Sequence, residues 1–319
     1  MKALRNTAEG LQLRDIEFLP NAGEAVIKVL KSGICKTDIE ITRGYADFYG
    51  TLGHEFVGIV EESKNPELIG ARIVGEINAG CGKCILCKSG DTRHCPGRTV
   101  LGINSRDGAH AEYLCLPEEN LFLVPENISD VEAVFIEPFA AALGIFESYR
   151  FEPGLRLAVI GDGRLGLLCA FASQARGFCP VLIGHNKDKM QIAKNRGIET
   201  FFEDEASVLY ASCDVVIEAS GSVSGFNLAA EISRPRGTII LKSTLSRQIH
   251  WPATKVVVNE LRVLGSRCGR FAPAIDLLTN INLNLQELVT DVIPLSRGIE
   301  AFKIAENKNS LKVILDITG

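Results

Sequence analysis

No apolar run in this 319-residue sequence is long enough to cross a bilayer. Its first residues, Met-Lys-Ala-Leu-Arg-Asn, lack the apolar core of a secretory leader. Excess positive charge is missing as well. The 34 Lys+Arg face 39 Asp+Glu, and a net charge of -5 offers no basic face to a nucleic acid. There is no low-complexity linker and no internal repeat, which excludes solenoids and tandem arrays. These absences lead us to expect a globular, cytoplasmic protein that works on small molecules, without a membrane or nucleic-acid partner.

What is present starts with ten cysteines, in a chain with the length for two domains. In a reducing compartment thiols seldom pair, so their spacing needs another explanation. Cys81, Cys84, Cys87 and Cys95 form C-x2-C-x2-C-x7-C within an otherwise polar, Gly-containing stretch over residues 80–96. Four thiolates close a tetrahedral shell around zinc, and an iron–sulfur cluster takes the same number. Either way the shell is saturated, so this site is structural. A second set is scattered: Cys35, Gly53-His54-Glu55 and Glu137-Pro138. A thiolate, an imidazole and carboxylates together suit a zinc that keeps one position open for water or substrate.

The first 138 residues read as β-rich, with short β-branched runs such as Ala25–Val29 and Phe56–Val60 bounded by turns. From residue 139 the pattern changes. Phe139 to Tyr149 is Ala/Leu-rich with helical spacing, and then apolar strands alternate with helices: Leu157–Ile160, Leu165–Arg176, Val181–Ile183, Asp188–Arg196, Asp214–Ile217, Thr238–Leu241 and Leu261–Leu264. Continuous apolar strands of this kind belong to a parallel sheet covered on both faces, an α/β architecture. From 267 on, a helix over Ala272–Leu278 and a strand over Leu311–Leu315 are expected.

Between the first of those strands and its helix lies Gly161-Asp162-Gly163-Arg164-Leu165-Gly166. The G-x-G-x-x-G pattern is weak alone, but a strand before it and a helix after it supply the context of a pyrophosphate-binding turn. An NAD site then wants an Asp or Glu about 20 residues on, at the end of the second strand. That strand ends Ile183-Gly184-His185-Asn186-Lys187. With no carboxylate there and Lys187 beside it, NADP is expected over NAD.

These motifs, in this order, carry a resemblance to the zinc-dependent medium-chain alcohol dehydrogenases. Further matches are Gly33-Ile34-Cys35-x-Thr37-Asp38, Asp107-Gly108-Ala109-x-Ala111-Glu112-Tyr113 and Asp214-Val215-Val216-Ile217-Glu218-Ala219-Ser220-Gly221. The resemblance implies a GroES-like β-barrel catalytic domain (1–138, with the zinc lobe at 80–96), a Rossmann domain (139–266) and a return to the first domain (267–319). It implies two zinc ions per chain. Cys35 and His54 match catalytic ligands, and Glu55 and Glu137 compete for the third place, as in the sorbitol/polyol and glucose dehydrogenase-like branch. Thr37 matches the residue that takes the substrate proton, and Asp38 one that steadies the ligand loop. Ser220, Gly221 and Arg267 match positions beside the cofactor.

The expected activity is hydride transfer between a secondary alcohol, polyol or sugar and NAD(P), in a homodimer or homotetramer. Two other readings share the fold: a zinc-independent reductase of activated double bonds, and a non-catalytic nucleotide-binding protein. Glu40 replaces the histidine that often ends the family's proton relay, and His110 replaces an apolar residue and reads as structural. The remaining cysteines, 115, 169, 179, 213 and 268, are expected to be small core residues.

Overall fold

The computed structural model describes residues 1–243 and 252–319. They divide into two units, Met1–Glu137 with Leu278–Gly319, and Pro138–Leu277.

The first unit is built on Ala25–Gly33, whose alternating apolar residues Val29 and Ile27 face a buried core. This strand pairs antiparallel with Glu55–Glu62, Tyr113–Leu116 and Lys312–Asp316. Arg72–Gly75 and Leu121–Leu123 extend the sheet on one side, and Val289–Pro294 lies parallel to Lys312–Asp316 on the other. Lys2–Thr7 forms a separate small sheet with Gly10–Asp15 and Gly50–Thr51. Leu4, Phe56, Ile73, Leu114, Phe302 and Val313 fill the core between these elements. The last strand is thus an inner member of a sheet that Ala25–Gly33 begins.

The second unit holds a six-stranded parallel sheet. Its spatial order is Glu199–Phe202, Pro180–Gly184, Leu157–Ile160, Cys213–Glu218, Ser233–Leu241, Arg262–Gly265. The chain runs outward from Leu157–Ile160 in one direction and then in the other, so the order reverses between that strand and Cys213–Glu218. Such a reversal opens a crevice at the strand C-termini, the usual ligand position of doubly wound sheets. Leu157–Ile160 is wholly buried, and the helix Arg164–Ala175 has an unbroken buried run from Gly166 to Ser173. Helices cover both faces, which explains why these strands are apolar throughout.

The second unit continues past the expected return at 267, to Leu277. Lys242 Nζ donates to the carbonyls of Ala141 (2.6 Å) and Arg267 (3.2 Å), and the Arg270 amide donates to Glu147 Oε1 at 2.9 Å. These bonds tie residues 267–270 to the unit that the sequence pattern had ended before them. The helix read over Ala272–Leu278 spans Phe271–Asn280. Cys115, Cys169 and Cys213 are buried as expected, whereas Cys179 is exposed and Cys268 only half-buried.

Candidate metal and nucleotide sites

Where the strand Ala25–Gly33 ends, Ile34 and Cys35 lead into the short helix Lys36–Thr42. Cys35 caps this helix in an extended conformation, and its amide donates to Asp38 Oδ2 at 2.8 Å. The turn that presents the thiol is thereby fixed by a residue of the helix's own first turn. Gly33 stands directly opposite Glu55 in the antiparallel register, which carries His54 and Glu55 to the same end of the sheet. Ligand atoms of Cys35, His54 and Glu55 lie within 4.8 Å of one another. Thr37 Oγ1 is 3.7 Å from Cys35 Sγ. Glu137, in the first turn of Ile136–Leu143, is not a member of this group.

Behind the three donors lies a residue that no motif flagged. Lys312 is fully buried and its ammonium pairs with Glu55 Oε2. Its Nζ also stands 5.6 Å from the centre of the Phe135 ring. Ile314 is opposite Gly33 in the sheet, so strand register alone brings Lys312 to the carboxylate. Gly33 admits this contact, because a Cβ there would fall 2.6 Å from Glu55 Oε2 and 2.7 Å from Val134 Cγ1. Among the described residues Glu55 Oε1 is buried without a hydrogen-bond partner. A carboxylate oxygen left so is costly unless a cation faces it. The sulfur, nitrogen and oxygen donors beside it are the set zinc prefers. The residues present therefore fit the metal.

Asp38 anchors this arrangement from beneath. Oδ1 accepts from the Gly53 amide at 3.2 Å and lies 3.3 Å from His54 Nδ1, while Oδ2 lies 3.5 Å from His110 Nε2. His110 Nδ1 in turn is 2.7 Å from Ser32 Oγ, and both side chains are buried. Burial pushes the Asp38 carboxyl up, but the charges and hydrogen bonds of His54 and His110 outweigh it and hold it far below the usual range. Burial opposes charge on His54 as well, yet Asp38 and Cys35 raise its pKa well above the ordinary histidine value. A metal arriving here must displace that proton, so its binding is pH-dependent.

The four lobe cysteines also bring their sulfurs within 4.8 Å of one another. Cys84 Sγ is 3.5 Å from Cys87 Sγ and 3.7 Å from Cys95 Sγ, and none of the four is in a disulfide. Amides of Lys83 and Cys84 draw the Cys81 thiol down to about 6. Desolvation and the neighbouring thiols push Cys87 up to about 12. Thiols this close titrate apart, and all four become thiolates together only when a cation compensates them.

In the second unit, Gly161 to Gly166 turn from Leu157–Ile160 into Arg164–Ala175. A Cβ on Gly166 would stand 1.8 Å from the Gly161 carbonyl oxygen, so only glycine lets helix and strand approach this closely. Ser220 and Gly221 follow Cys213–Glu218 beside the strand reversal. The Ser220 amide and hydroxyl donate to Glu218 Oε1 at 2.8 and 2.5 Å, and the Gly221 amide donates to Ser243 Oγ at 2.9 Å. Arg267 lies just past Arg262–Gly265, with an exposed side chain. At the end of Pro180–Gly184, His185 is exposed, Asn186 caps the helix Lys187–Asn195 and Lys187 opens it. The carboxylate that this corner lacks in its own sequence comes from the neighbouring turn. Asp162 Oδ2 accepts from the His185 and Asn186 amides at 2.7 and 2.5 Å.

A mixed donor set in one unit, and a phosphate-binding turn heading a doubly wound sheet in the other, define a nucleotide-linked metal-dependent oxidoreductase. Residues 21–126 match the family model described as the alcohol dehydrogenase GroES-like domain, and residues 165–280 that described as zinc-binding dehydrogenase. The chain belongs to the zinc-dependent medium-chain alcohol dehydrogenases. It is 29% identical to a sorbitol dehydrogenase of Halalkalibacterium halodurans, over 99% of each chain. The structure of a zinc-binding dehydrogenase from Sinorhizobium meliloti bound to NADP is similar, with a TM-score of 0.89, 26% identity and 99% of both chains covered. So is that of an alcohol dehydrogenase from Escherichia coli complexed with NADH, at a TM-score of 0.89, 25% identity and 99% of both chains.

Proposed function

We propose that this protein is a zinc-dependent polyol dehydrogenase, reversibly oxidising a secondary alcohol of a polyol or sugar with a nicotinamide dinucleotide. The observation that carries the reading is the convergence of Cys35, His54 and Glu55 within 4.8 Å, with Glu55 Oε1 buried and, among the described residues, without a hydrogen-bond partner. These three residues would hold one zinc ion, and Cys81, Cys84, Cys87 and Cys95 a second. The relative named sorbitol dehydrogenase supports a polyol or sugar as substrate.

When bound at the first set, zinc supplies Lewis acidity that lowers the pKa of the substrate hydroxyl. Thr37 Oγ1, half-buried beside Cys35, accepts that hydroxyl's proton as it passes its own onward toward solvent. Asp38 Oδ1 stands 3.3 Å from His54 Nδ1 and draws charge to that side of the ring, which leaves Nε2 as the ligand atom. Lys312 offsets the Glu55 charge, so the donor set is less anionic than its composition suggests. Glu137 lies outside this group of three donors. Gly161, Gly163 and Gly166 let a pyrophosphate approach the N-terminus of Arg164–Ala175, flanked by Arg164 and Leu165. Ser220, Gly221 and Arg267 line the cofactor.

Ten cysteines without a disulfide support a reducing, cytoplasmic setting. Self-association as a homodimer or homotetramer is supported by the sheet edge. Among the described residues Arg262–Gly265 pairs on one side only, and Val257 and Val258 nearby are 75% and 74% exposed. The test is a dinucleotide-linked screen over alcohols, polyols and sugars, with zinc counted on the same sample. Turnover of a polyol or sugar is expected, with one zinc for each of the two donor groups. Turnover of activated double bonds alone, with zinc only in the cysteine lobe, overturns the reading.

A further inference from the structure

The geometry points to Asp162 as the residue that selects the cofactor: its carboxylate takes the place of the acidic residue missing from the end of the second nucleotide-fold strand, so that the chain uses NAD in preference to NADP. This rests on the dinucleotide reading above and reverses the expectation drawn from His185, Asn186 and Lys187.

A dinucleotide sheet discriminates at the C-terminal end of its second strand. A carboxylate there hydrogen-bonds the ribose 2′-hydroxyl, whereas a 2′-phosphate wants donors and positive charge. The second strand here is Pro180–Gly184, and its own residues supply no carboxylate. Asp162 reaches across from the turn after Leu157–Ile160 and accepts from the two amides that follow the strand, His185 N at 2.7 Å and Asn186 N at 2.5 Å. The contact is built into the backbone. A Cβ on Gly184 would lie 2.6 Å from both Asp162 Cβ and Oδ2, so a side chain at 184 would evict the carboxylate.

Two consequences follow for a ribose at this corner. The amide donors that could hold a 2′-phosphate are already occupied by an anion. Asp162 Oδ1 makes no hydrogen bond among the described residues, and so remains an acceptor for a hydroxyl. The nearby side chains sharpen this choice. His185 Nε2 is 2.6 Å from Glu203 Oε2, which adds a second carboxylate and uses the imidazole. Asn186 Oδ1 accepts from the Asp188 and Lys189 amides at 3.0 and 3.1 Å, so that side chain is turned to its own helix. Of the cations, Lys187 is exposed at the helix start, while half-buried Lys189 interacts electrostatically with Asp162 and with Arg164. A 2′-phosphate would therefore meet Asp162 in place of free donors, and like charges in near contact are strongly disfavoured.

The test compares NADH and NADPH binding to the zinc-loaded full chain by nicotinamide fluorescence, without turnover, and adds adenosine 2′-phosphate as a competitor. The wild type is expected to bind NADH more tightly than NADPH by on the order of 10-fold or more, and to be poorly displaced by adenosine 2′-phosphate. In Asp162→Asn the charge is lost at constant shape, and in Asp162→Ser the two amides are freed. Each should shift the NADH/NADPH ratio toward NADPH by about tenfold, with unchanged circular dichroism. A wild type that binds NADPH at least as tightly as NADH overturns the proposal, as does an unchanged ratio in both variants. Binding of neither nucleotide overturns the dehydrogenase reading itself.

Discussion

Lys312→Met removes the one cation that touches Glu55 among the described residues and keeps most of the aliphatic stem. Both side chains of the pair are buried, at 0% and 1% exposure. The remaining oxygen of Glu55 has no hydrogen-bond partner among the described residues. In metal-free protein the substitution therefore strands a carboxylate away from water. Breaking a buried pair from one side costs about 3–5 kcal/mol, and the close packing around Gly33 leaves little room for relaxation toward solvent. If Glu55 is a zinc ligand, the metal supplies the missing positive charge, and the loss in zinc-loaded protein falls below about half of that. Denaturant midpoints for wild type and variant, each chelator-stripped and zinc-loaded, measure both quantities. Glu55→Gln on the Lys312→Met background should recover much of the stripped-form loss, because it removes the orphaned charge. An equal loss with and without zinc would refute the placement of Glu55 at a cation. A loss under about 1 kcal/mol in the stripped form would refute the buried pair.

Cys35→Ala should abolish turnover and lower the zinc count by one per chain while NADH fluorescence binding survives; activity at the wild-type level would show that the thiol is not a ligand. The Glu24 carboxyl is pushed up by burial but held below the ordinary glutamate range by its paired bonds to Arg106. A depressed native pKa stabilises the fold above the unfolded value and loses that contribution as pH falls through it. Stability of wild type should therefore drop more steeply than that of Glu24→Gln below about pH 5, read from denaturant midpoints across pH. Val257→Glu places charge on an exposed apolar helix face beside the sheet edge, and light scattering should report a smaller assembly than wild type; an unchanged mass would move the interface elsewhere.

Much of both sites could be read from local spacing. The four-cysteine lobe and the glycine turn are contiguous, so the chemistry of each is written within one short segment. The parts that escaped reading are those set by pairing between distant segments. Lys312 meets Glu55 across 257 positions through strand register, and only a lysine inside an otherwise apolar strand hinted at it. The convergence of Glu55 with Cys35 and His54 needed the Gly33–Glu55 register. The reach of Asp162 is not legible locally, because a variable position in a glycine motif does not reveal where its side chain points. The strand Glu199–Phe202, with its mixed ETFF sequence, has too little alternation to announce itself. The extension of the second unit to Leu277 depends on Lys242 and Glu147 holding backbone that is unremarkable in sequence.

The inner position of Lys312–Asp316 has a bearing on how the chain is made. Until residue 316 has left the ribosome, Ala25–Gly33 has an open side and Glu55 has no counter-ion, although nearly all of the first unit has already been synthesised. The Pro138–Leu277 unit is continuous and can fold as soon as it emerges, whereas the half that began first must wait for its final strand. A nascent or truncated chain would thus carry an exposed sheet edge beside a loose metal-binding turn, the state most prone to aggregate and to take up the wrong ion. Completion of the last strand is, in effect, the step at which the Glu55 carboxylate gains its buried partner.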